Sequence, residues 1–251
     1  FKILARYRSY HGATHGAIAL TGDYRRLAVE PTMPGGVHFL DPFCYRCPFG
    51  QKKESCKREC ISHLEEVIRY EGADKIAAII MEGVVGSNGL IVPPDDYWPR
   101  MRELCDKYGI LLISDEVMSG WGRTGEWFAV DNWNVVPDII TTAKGLTSGY
   151  VPLGAVIVRE QIAKYFDEHV LYAGLTYNGH ALACAAALAT IEAYALKYTF
   201  DQDVAYGTKA ITAIKNLLRT LELDDNIQDI TRQMGHVIFV SSVVYDWCYP
   251  L

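Results

Sequence analysis

The sequence predicts an α/β fold, a mostly parallel central sheet flanked by helices. Three observations predict it. Four short apolar runs are continuous rather than alternating, as strands buried on both faces require: 76–81 (IAAIIM), 110–114 (ILLIS), 138–142 (DIITT) and 155–158 (AVIV). Helical spacing separates the first two, which makes strand–helix–strand units and hence parallel pairing. The chain has 251 residues, 50% of them apolar, enough for a large core.

Residues 34–60, rich in Pro, Gly, Cys and charge, read as a long surface excursion. From Ser62 to Tyr70, helical spacing puts Leu64, Val67 and Ile68 on one side. The strand 76–81 follows. Pro93 and Pro94 then introduce Asp95 and Asp96, and a helix is expected from there to Tyr108, closed by Gly109. Residues 181–196 form an alanine-rich helix that must pack closely. Residues 1–197 read as one large-domain core with a Cys-rich insertion at 41–60. Residues 198–251 read as a partial or divergent segment.

Net charge is −6 and the pI is near 5.6. Nucleic-acid-binding domains usually carry a basic face, so no nucleic-acid partner is expected. No apolar run approaches the roughly 20 residues of a membrane-spanning helix, so no membrane partner is expected. The first ten residues do not read as a signal peptide, and a cytoplasmic location is the default. Of seven cysteines, four cluster as Cys44-x2-Cys47-x8-Cys56-x3-Cys60. Four thiols that close could hold zinc, remain reduced, or form two disulfides; the x3 spacing fits common zinc patterns poorly, and no metal ligand is assigned.

Ligands of parallel sheets sit at the carboxyl ends of strands. Glu82 follows the first run, Asp115 the second and Lys144 the third. Two acids and a lysine should therefore converge on one rim. A lysine at a strand end between Ala143 and Gly145 can be partly desolvated, and its neutral amine then adds to aldehydes. The plainer alternative is a solvated lysine. An acid after a buried strand needs a cationic partner, and a protonated pyridine is one. Pyridoxal phosphate (PLP) chemistry requires this pairing of a lysine with a carboxylate on the ring nitrogen. A simple Asp–Lys ion pair or a metal carboxylate would have the same spacing. Tyr10, in Tyr10-His11-Gly12, could cover a pyridine face or be a core tyrosine.

The run 113–158 carries D-E-V, G-x-G-R-T-G, P-D-I-x-x-x-A-K-G-L and P-L-G-A segments in order. It strongly resembles the core of class III PLP-dependent aminotransferases. SYHG at 9–12 and EGVVGSNGLIVPP at 82–94 resemble two further motifs of that family, which usually has Pro where Gly83 stands. VGSNG and CYRCPFG look closest to ω-amino-acid:pyruvate and taurine:pyruvate aminotransferases. The resemblance covers residues 1–197 and implies the fold type I large domain. It implies that Lys144 holds the PLP aldehyde and shuttles the proton, and that Asp115 binds the pyridine nitrogen. Tyr10 and Val117 would take the two ring faces, with His11 beside Tyr10. Glu82 would lie near the phenolic oxygen and help position Asp115 or a water. Thr176, in GLTYNGH, would reach the PLP phosphate of a neighbouring subunit, which implies a homodimer with shared sites. The reaction implied moves an amino group from an ω-amino acid or amine to an oxo acid such as pyruvate.

Two family features are expected outside this sequence: a Gly-Ser phosphate-binding turn before Phe1, and a carboxylate-binding arginine beyond Leu251. Arg219 and Arg232 stand in no matching context. Without those features the chain alone is expected to bind PLP weakly. The same cofactor also supports decarboxylation, mutation or racemisation. A different class of reading is a catalytically incomplete, non-enzymatic or zinc-binding interaction protein.

Overall fold

A computed structural model describes residues 1–201. It contains a six-stranded sheet: β1 (Lys2–Arg6), β2 (Gly36–Phe39), β3 (Ile76–Glu82), β4 (Leu111–Asp115), β5 (Ile139–Thr142) and β6 (Ala155–Val158). The order is β2-β1-β3-β4-β5-β6. The pairings from β2 to β5 are parallel, and β6 joins antiparallel. The helices are α1 (His15–Leu20), α2 (Glu59–Glu71), α3 (Tyr97–Tyr108), α4 (Glu160–Glu168) and α5 (Ala181–Asp201). The predicted α/β class is the observed one. Among the described residues no helix is long and apolar enough to cross a membrane.

The core forms where the continuous apolar strands meet the apolar faces of α2 and α3. Leu64 and Ile68 of α2 and Tyr97, Trp98 and Met101 of α3 pack with Leu4, Ile79, Met81 and Leu112 of the strands, all of them sealed from solvent. Gly109 ends α3 in the left-handed conformation (φ 65°), and its N–H reaches back to Asp106 O, a turn that glycine makes without steric cost. Helix α2 starts at Glu59, earlier than the periodicity placed it, so Cys60 is a buried helical residue rather than part of an insertion.

Two elements correct the reading of the sequence. The excursion 34–60 begins with β2, an edge strand paired with β1 from Ile3↔Gly36 to Arg6↔Phe39. Strand β1 lies inside the sheet although charges at both ends hide its pattern. Its Arg6 is fully buried and donates through Nη2 to Glu82 O at 2.7 Å. A buried cation was not legible as core because only the fold supplies its acceptor. At the other end of the sheet, buried Asp138 precedes β5 and accepts from Leu112 N–H and Arg102 Nη1, each at 2.8 Å, tying β4 and α3 together.

The chain divides into two compact units. The first, residues 1–145 and 154–173, holds the sheet. The second contains, among the described residues, 146–153 and 174–201. Within it Thr190 of α5 donates through Oγ1 to Leu146 O at 3.1 Å, and Ala183 is buried. Thr176 lies exposed in a turn. Most of the segment read as divergent, with Arg219 and Arg232, lies outside the described residues.

Candidate active site

The register of the sheet builds the rim. Glu82 and Asp115 are paired neighbours at the ends of β3 and β4, and Asp115 is paired with Thr141 of β5. Lys144 follows two residues after β5 ends. Beyond β1 the chain crosses the same rim at Tyr10 and His11. The result is a cleft of about 470 Å³ lined by Tyr10, His11, Glu82, Asp115, Val117 and Lys144, with Arg25, Ser87 and Met118 completing much of its wall. That size suits a small-molecule site.

Asp115 is buried and has two donors. His11 Nδ1 lies 2.6 Å from Oδ2, and Val117 N–H donates to Oδ1 at 3.0 Å. The His11 side chain is 2% exposed, and its Nε2 is buried with no partner. Because a carboxylate only accepts, His11 Nδ1 carries the proton of this bond. The expected cationic partner of Asp115 is thus preceded by a histidine from 104 residues away.

Glu82 accepts from Tyr10 N–H at 3.0 Å and from Gly86 N–H at 2.8 Å. It fixes the backbone of the Tyr10 segment and of the following loop, and no hydrogen bond links it to Asp115. One face of the Tyr10 ring carries the Arg25 guanidinium, 4.2 Å from the centroid. Val117 is half-buried on the cleft wall.

Lys144 is exposed. It starts a short 3-10 turn, Lys144–Thr147, with φ at 44°, and it lines the cleft. A left-handed non-glycine residue is strained and persists where its surroundings impose it. Trp121 packs against the next residue. A Cβ on Gly145 would come within 2.6 Å of Trp121 Cβ, and Trp121 Nε1 donates to Thr142 Oγ1 at 2.5 Å.

Two residues of the rim escaped the sequence reading. Glu116 is fully buried and accepts from Ser114, Ser119, Ala129 N–H and Val130 N–H. Alternation along β4 could have revealed that Asp115 and Glu116 must point to opposite sides. Arg25 carried no local signal. Gly83, where the family usually has Pro, has no room for a side chain: a Cβ would come 2.5 Å from Ala129 Cβ. The thiols Cys44, Cys47, Cys56 and Cys60 all line one small cavity of about 20 Å³. Among the described residues no three His, Cys, Asp or Glu side chains form a group that could hold a metal ion.

A primary amine and a buried, doubly held carboxylate share one cleft, flanked by a tyrosine and a valine. That donor set fits PLP, and on this sheet it defines the large domain of a fold type I PLP-dependent transferase. The chain belongs to the class III aminotransferases: the family model "Aminotransferase class-III" matches residues 1–244, further than the sequence motifs reached. It is 40% identical over 227 residues to the putrescine–pyruvate aminotransferase of Pseudomonas aeruginosa, covering 89% of this chain and 48% of that protein. It is 38% identical over 231 residues to the leucine/methionine racemase of Thermococcus litoralis, covering 90% and 51%. Among solved structures, the taurine:2-oxoglutarate aminotransferase of Bifidobacterium kashiwanohense, in complex with PLP and glutamate, superposes with a TM-score of 0.73 at 46% identity, covering 87% of this chain and 49% of that one. The chain spans about half the length of the curated relatives it matches.

Proposed function

We propose that the whole protein is a PLP-dependent transaminase that moves an amino group from an ω-amino acid or amine to an oxo acid such as pyruvate. The observation that carries this reading is the shared cleft of Lys144 and Asp115. Bound there, PLP supplies an aldehyde for the substrate amine and a ring that takes up electron density.

The chain's own residues do the rest. Asp115 would hold the ring-nitrogen proton of a bound PLP, and His11 and Val117 N–H fix its carboxylate. Tyr10 covers one ring face and excludes water, with Val117 on the other. Glu82 holds Tyr10 in place through the backbone. Lys144 would be the amine that holds the aldehyde of a bound PLP and, when free, the base that would move the proton in the exchange. Its exposed position leaves the amine free to reach the cleft. Thr176, exposed on the second unit, is assigned to the PLP phosphate of a neighbouring subunit, so the working form is a homodimer. A cytoplasmic location fits this chemistry.

The test uses the full-length protein. PLP should give a visible imine absorption band that Lys144→Ala replaces with that of the free aldehyde, and borohydride should leave the cofactor's mass on the Lys144 peptide. Alanine should accumulate from pyruvate and an amine donor. A cofactor that borohydride fixes at a residue other than Lys144, or a protein that makes no alanine with any donor, overturns the reading. The 38% identity to a racemase favours one competitor. Loss of optical rotation from a chiral amino acid, with no oxo acid present, would identify it.

A further inference from the structure

The described lining of the cleft holds two basic side chains, Lys144 and Arg25. The reaction proposed above uses Lys144 and leaves Arg25 without a task. Yet Arg25 is placed with care. Its guanidinium lies over the Tyr10 ring at 4.2 Å, and Nη2 sits 3.1 Å from Asp23 Oδ2. Asp23 is buried and also takes Arg25 N–H at 2.8 Å and Asn88 Nδ2 at 3.2 Å, so its charge is shared among several donors.

The guanidinium is therefore oriented by Asp23 and Tyr10, and its side chain is 36% exposed. Its Nε is buried with no hydrogen-bond acceptor. A buried N–H without an acceptor is costly, and the cost is removed when a ligand brings one. The acids nearest the cleft cannot serve. Glu82 holds two backbone N–H groups, and Asp115 holds His11 and Val117. A planar fork with a free donor edge, fixed on an aromatic face, matches a carboxylate or sulfonate.

We infer that Arg25 receives the acidic group of the amino donor and of the oxo acid, and so makes the cleft selective for acidic substrates over plain amines. The inference rests on the transaminase reading of this cleft. The same chemistry would also suit the cofactor's phosphate, and the experiment separates the two sources.

Full-length wild-type, Arg25→Met and Arg25→Lys proteins are compared, each checked by circular dichroism. Methanesulfonate and propionate, unreactive acids, are titrated into the PLP-loaded and the unloaded protein and followed by calorimetry. Arg25→Met should weaken both by about ten- to a hundredfold, the range for a charge-assisted hydrogen bond. Arg25→Lys should recover part of the loss, because a point charge remains. In turnover, the ratio of KM for β-alanine to KM for propylamine should rise at least tenfold in Arg25→Met, with kcat for β-alanine moving less. An unchanged ratio overturns the inference, whether or not activity falls. Loss of bound PLP together with an unchanged ratio assigns Arg25 to the cofactor phosphate and overturns it as well. If the wild type binds no PLP, the transaminase reading fails by itself, and acid binding to the unloaded protein still decides the role of Arg25.

Discussion

His11 Nδ1 donates to Asp115 Oδ2 across 2.6 Å, inside a part of the rim where both side chains are nearly sealed from solvent. The bond does two things. It satisfies a carboxylate that would otherwise be costly to bury, and it fixes the oxygen that faces the cleft. His11 acts through Asp115, so it is a positioning residue.

Replacing His11 with Phe should keep the ring volume and remove the donor. Retention of PLP should weaken by about ten- to a hundredfold, as for loss of a hydrogen bond to a charged group. Absorbance titration with PLP measures this, and His11→Gln should recover part of it. Equal affinities in wild type and His11→Phe would remove His11 from the site.

Gly145 tests how Lys144 is held. A methyl group there must displace Trp121, whose Cβ lies 2.6 Å away, or else the Lys144 turn. Overpacking of this kind costs about 1–3 kcal/mol. Gly145→Ala should therefore lose cofactor capture at Lys144 while thermal unfolding shifts only modestly. The borohydride-fixed fraction at Lys144 is the readout, and a wild-type fraction would sink the idea.

Acid sensitivity should centre partly on β2. Burial, reinforced by nearby Arg26, holds the His38 imidazole below its ordinary pKa of 6.5. Above that pH the ring is neutral folded or unfolded and contributes no pH dependence. Below it the unfolded chain binds a proton that the native chain resists, so stability falls as pH drops toward the lowered native pKa. His63 is shifted in the same direction by burial. Urea midpoints at pH 7.5 and 5.5 should therefore drop for wild type and drop less for His38→Phe. Parallel losses in the two proteins would contradict this.

The thiols should differ in reactivity. Burial pushes Cys60 up to about 11 and Cys105 up to about 12, so both stay protonated and inert at pH 8. Cys47 and Cys56 are only half-buried, and Arg58 Nη1 lies 2.8 Å from Cys56 Sγ. Native alkylation with iodoacetamide, read by peptide mass, should label Cys47 and Cys56 well before Cys60 and Cys105. The reverse order would show that the cavity they line is built differently.

What the sequence determined by itself was local. The continuous apolar runs marked β3 to β6, and the residues that follow them identified Glu82, Asp115 and Lys144 as rim residues. Parallel pairing then required them to share one edge, because each strand of a parallel sheet delivers its carboxyl end to the same side. The tertiary structure decided what lies far apart along the chain. It placed the charged segment Lys2–Arg6 inside the sheet, brought His11 to Asp115, set Arg25 on Tyr10, and packed Trp121 against Gly145 beside Lys144. The reason is physical. Periodicity records which side of an element is buried, whereas a partner for a buried charge is chosen by packing between elements, and no local pattern encodes that choice.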